Sequence, residues 1–86
     1  MRHATEEDLN RLEGVLSELR RLPQLRERKR GIFVQGSRAF LHFHEDAGEL
    51  YCDVRLDRDF ERRKVTTAGE RATFLAAVRA SLRSTP

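Results

Sequence analysis

Two histidines, His42 and His44, stand one residue apart in the stretch FLHFHEDAGELYCDVRL, with Glu45, Asp46, Glu49 and Asp53 nearby and the only cysteine, Cys52, within reach. Imidazoles and carboxylates are the side chains of zinc sites and of general acid–base pairs. On a strand, a His-x-His pair aims both rings to one side, because successive side chains alternate between faces. Which chemistry is open to them depends on the strands that carry them.

The segment IFVQGSRAFLHFHEDAGELYCDVRL alternates with period two and contains two turn signals, Gly36-Ser37 and Ala47-Gly48. It predicts three antiparallel strands. Two-residue loops at both turns place Ile32 opposite Leu41, Phe43 opposite Cys52 and Leu41 opposite Val54. One face then holds Ile32, Val34, Ala39, Leu41, Phe43, Leu50, Cys52, Val54 and Leu56, an apolar set suited to burial. An odd-length loop would put Asp53 and Tyr51 beside Leu41 and Phe43, so the hydrophobic pattern selects the even register.

The opposite face holds Phe33, Gln35, Arg38, Phe40, His42, His44, Tyr51, Asp53 and Arg55. His42 is expected across from Asp53, His44 across from Tyr51, and Phe40 across from Phe33 and Arg55. Asp53 would be a third metal ligand beside the two imidazoles. The pattern places no further histidine, since His3 precedes the first helix, and no metal ligand set or cofactor is expected. A His–Asp pair on an open sheet also lacks a pocket, so no catalytic residue is nominated. Cys52 falls on the core face, where a thiol behaves as a small hydrophobe.

The strands need helices to cover them. In TEEDLNRLEGVLSELRRLP, Leu9, Leu12, Leu16 and Leu19 recur at spacings of three and four, which predicts a helix over 6–21 with Thr5 as N-cap and Pro23 beyond its end. TAGE at Thr67 to Glu70 has the form of a capping box, and Phe74, Leu75, Val78 and Leu82 follow at helical spacing, predicting a helix over 68–83. PQLRERKRG reads as a linker. Residues 60–66 allow a short fourth strand. Two amphipathic helices and one apolar sheet face imply a single α+β domain over 1–86, a two-layer sandwich of helix, three or four antiparallel strands and helix, with both helices on one face of the sheet.

At 86 residues, with 38% hydrophobic and 36% charged side chains, the chain suits one compact domain rather than a disordered one. A lone cysteine forms no internal disulfide, and no apolar run approaches the ~18–20 residues of a membrane span. The expected compartment is the cytoplasm, without membrane contact. The net charge of +3 rests on 15 arginines against 2 lysines, a bias that genomic base composition alone produces.

The order helix, LPQL, GIFVQGSRAFLHFH, a paired strand ending DVRL and a C-terminal helix resembles the small YjbR-type proteins and the related actinobacterial proteins labelled "luciferase domain". That resemblance implies an α+β sandwich and, through a double-wing-like sheet, DNA binding. It carries over no catalytic residue.

Three aromatics, Phe33, Phe40 and Tyr51, on a face otherwise expected to be open imply that something covers it. A second copy of the chain or another protein partner is the first expectation, which makes the protein a small interaction module. Single-stranded nucleic acid, stacked on the aromatics and neutralised by Arg38 and Arg55, is the alternative. A His/Asp metal or enzyme site comes third.

Overall fold

A computed structural model describes residues 1–84 as an α+β fold. In chain order its elements are β1 (Arg2–His3), α1 (Glu6–Arg11), α2 (Glu13–Arg20), β2 (Arg26–Lys29), β3 (Ile32–Gln35), β4 (Arg38–Asp46), β5 (Glu49–Val54), β6 (Glu61–Lys64) and α3 (Ala68–Arg83). The strands form one antiparallel sheet in the order β2-β3-β4-β5-β6, and β1 pairs with β4. Since β5 occupies one side of β4, β1 must share the other with β3. It pairs with His44 and Glu45, past the stretch that β3 occupies.

The helix starts follow their capping residues. Thr5 accepts a hydrogen bond from the Asp8 backbone N–H while the Asp8 carboxylate accepts one from the Thr5 N–H; Thr67 and Glu70 do the same for α3. The expected first helix is divided at Leu12, whose N–H bonds to Leu9 rather than continuing the four-residue ladder. The apolar stripe survives the break: Leu9, Leu12, Val15, Leu16 and Leu19 are all buried. They share one core cluster with Phe74, Val78 and Leu82 of α3 and with Leu41, Phe43, Leu50, Cys52 and Val54 of the sheet.

The β4–β5 register matches the expected one from Leu41↔Val54 through His44↔Tyr51. Its Ala47-Gly48 turn has both residues at positive φ, +51° and +84°, the conformation that joins two twisted strands in two residues.

The β3–β4 register departs from the expectation after two pairs. Gln35↔Arg38 and Val34↔Ala39 are as read from the sequence, but Phe33 then pairs with Leu41, leaving Phe40 as the extra residue of a β-bulge. A bulge sets two neighbouring residues against one on the partner strand and cancels one step of alternation. Phe33, Phe40 and Leu41 all enter the core, with Phe33 and Phe40 only 0% and 2% exposed. Ile32, expected inside, is 39% exposed, Ala39 is exposed, and Val34 is buried outside the central cluster.

The linker reading of RERK is also corrected. These residues form β2, an edge strand paired with β3 through the Arg30-Gly31 turn. Gly31 sits at φ +82°, and a Cβ there would lie 2.7 Å from Leu9 Cδ2, so the turn packs closely on α1. Arg30 bonds Glu6, Asn10 and Glu13, fixing the turn to α1 and α2. The optional fourth strand is present as β6.

Candidate functional site on the outer face of the sheet

Alternation along β4 and β5 turns His42, His44, Tyr51 and Asp53 away from the core cluster, as their half-buried state reflects. His42 lies across from Asp53 and His44 across from Tyr51, as expected. Pairing of β5 with β6 adds Arg62 across from Asp53 and Lys64 across from Tyr51. Pairing of β1 adds His3 across from His44.

Phe33 and Phe40, the two phenylalanines of the expected interaction face, are absent from it because the bulge at Phe40 turns both inward. Arg38 stands exposed beside the Gly36-Ser37 turn, at the start of the strand that carries the histidines further along. Arg55 does join the face, with its guanidinium 4.5 Å from the centre of the Phe60 ring. Phe60 in turn meets His42 edge-on at 5.6 Å. A different aromatic from the connection before β6 therefore flanks the site.

The centre of the face is a close group. His44 Nε2 is 3.1 Å and His42 Nε2 3.6 Å from the same oxygen, Asp53 Oδ2. One donor atom from each of the three residues falls within a span of 4.8 Å. The two rings meet edge to face at 4.8 Å, and His3 lies over His44 at 4.9 Å. The expectation that His3 stands apart is thus overturned: the two-residue β1 brings it alongside.

Asp53 is gripped from β6, where Arg62 donates from Nε to Oδ1 at 2.8 Å and from Nη2 to Oδ2 at 2.9 Å. That guanidinium holds the Asp53 carboxyl below its usual range, outweighing partial burial. His42 is also pushed down, first by burial and then by His44, so its imidazole is neutral at neutral pH. His44 Nε2 is buried without a hydrogen bond. Its short approach to Asp53 lacks hydrogen-bond alignment, and proximity alone does not satisfy it.

The thiol of Cys52 is buried in the core, and that burial pushes its pKa well up, away from the thiolate form that nucleophilic chemistry uses. Sequence reasoning missed His3, Phe60 and Arg62. Only Arg62 had a usable signal, because pairing of ERRK beside β5 places Arg62 and Lys64 on one face. Beside His42 and His3, at the gap between β1 and β3, lies a cavity of about 330 Å³ also lined by Ala4, Leu9, Ile32 and Phe43. No protein-family model, curated protein or solved structure matches the chain, so the site is interpreted from its own chemistry.

Proposed function

We propose that the protein is a small binding module that receives its ligand on the outer face of the sheet, at His42, His44 and Asp53. The observation behind this reading is the buried, unbonded Nε2 of His44, held 3.1 Å from a carboxylate oxygen. A buried polar atom without a partner costs about 1–3 kcal/mol, and such groups belong to sites where function rather than stability decides the residue. Self-association and base stacking were expected to use Phe33 and Phe40. With both inside the core, any macromolecular partner would meet a polar face edged by Arg55 and Phe60.

Thermal unfolding of His44→Leu tests the reading. Removing the unsatisfied nitrogen while keeping side-chain volume should raise stability by roughly 1 kcal/mol, or about 4–8 °C in Tm for a domain of this size. A clear loss of stability would instead make the imidazole a structural element and remove the basis for a ligand site.

A further inference from the structure

We propose that His42, His44 and Asp53 bind one divalent transition-metal ion of the zinc type, through the two Nε2 atoms and Asp53 Oδ2. The inference rests on the outer face being the ligand-receiving surface, and it names the ligand.

The geometry carries it. Zinc bonds to imidazole nitrogen and carboxylate oxygen of about 2.0–2.2 Å put neighbouring tetrahedral ligand atoms about 3.3–3.5 Å apart. The two distances to Asp53 Oδ2 are 3.1 and 3.6 Å, on either side of that value, and the three donor atoms lie within 4.8 Å of one another, so a small closing movement of the imidazoles brings all three onto one ion. Neither contact is an aligned hydrogen bond, and His44 Nε2 is left without a hydrogen-bond partner beside the carboxylate. A cation shared by the three donor atoms would satisfy His44 Nε2.

Metal ligation uses the neutral form of an imidazole and the ionised form of a carboxylate, so binding at this group of side chains is expected to compete with protons. Two imidazoles and one carboxylate select first-row transition metals over magnesium or calcium, which take oxygen ligands. With three ligands from the protein and His42 30% exposed, at least one coordination position faces solvent.

Arg62 opposes and assists at once. Its Nη2 holds the oxygen that the metal needs, while its Nε bond to Oδ1 fixes the carboxylate plane. The Arg62 side chain is 48% exposed, so its outer nitrogen can turn to water while the carboxylate stays oriented. His3 stacks on His44 but lies outside the convergent set, and is assigned no ligand role.

The test is calorimetric titration of metal-stripped, tag-free protein with zinc chloride, repeated with cobalt(II) for its visible spectrum. One equivalent of zinc should bind. His44→Ala and Asp53→Asn should each weaken binding at least about ten-fold, the loss that even an outer-shell partner of a metal site can produce. His42→Ala, at the most exposed of the three positions, is the third ligand variant and should also weaken binding, and circular dichroism verifies that each variant is folded. Arg62→Gln should tighten binding several-fold by removing a competing cation, and His3→Ala should change it less than about two-fold.

No saturable zinc binding below millimolar concentration would overturn the proposal. So would affinity that is unchanged in His44→Ala and Asp53→Asn, or binding that disappears with His3→Ala. A stabilised His44→Leu in a protein that takes no zinc would leave the ligand-receiving face standing and remove only the metal.

Discussion

Phe33 lies across the sheet from Leu41, not from Phe40. This single displacement puts both phenylalanines into the core and leaves the outer face to imidazoles, a carboxylate and guanidiniums. Phe40→Ala should therefore act on stability, by about 3–5 kcal/mol, the usual result of emptying a buried aromatic site. Urea unfolding measures that loss. Light scattering of whatever fraction remains folded should show the same mass as the parent chain. Phe60→Ala, at a ring 40% exposed and held by Arg55, should cost under about 1 kcal/mol. A small stability change in Phe40→Ala accompanied by dissociation of an oligomer would return Phe40 to the surface.

Gly31 is required by its turn. An alanine there would have to adopt φ +82° and push its methyl to 2.7 Å from a buried leucine methyl. The left-handed conformation alone costs a non-glycine residue about 1–2 kcal/mol. Chemical denaturation of Gly31→Ala should show at least that loss, whereas Gly14→Ala, whose added methyl meets no atom within 4 Å, should be neutral or mildly stabilising.

Asp8 gives the fold an acid limit. The Thr5 backbone N–H holds its carboxyl down to about 2, against the opposing effect of burial and with help from Arg11. A folded value below the unfolded one stabilises the protein above about pH 4, and that stability is lost as pH falls toward 2. The contribution is about 2 kcal/mol. Melting temperature followed from pH 5 to pH 2 should fall more steeply for the parent chain than for Asp8→Asn, and parallel curves would assign the acid limb to other carboxylates.

The C-terminal helix, α3, offers an independent check on capping. Thr67→Ala removes the acceptor for the Glu70 N–H and should cost about 1 kcal/mol by urea unfolding. An unchanged midpoint would mean that solvent replaces the hydroxyl at that end.

Several elements were legible because local rules and the final packing agree. The capped start at Thr67, the stripe from Leu9 to Leu19, and the β4–β5 register each needed only spacing, capping chemistry and turn type. The β3–β4 ladder was not, since a bulge has no fixed sequence mark and one extra residue inverts all that follows. A trace of it existed: two phenylalanines on a face assigned to solvent were an inconsistency, and the inconsistency lay in the register, not in a missing partner.

RERK was missed as a strand because charges on both sides hide the alternation at a sheet edge, and Arg2–His3 is too short to leave a pattern. For the candidate site, the His42–Asp53 pair was readable from one hairpin. Its third histidine and its arginine clamp arrive from β1 and β6, through contacts distant in sequence.

The two outermost strands of the main ladder, β2 and β6, each present three cations and one carboxylate, in RERK and ERRK. Two molecules approaching rim to rim would set rows of like charge against one another, which discourages them from joining into a continuous ribbon. Charge at both margins thus disfavours the edge-to-edge pairing by which sheets aggregate, and neither rim strand contains proline.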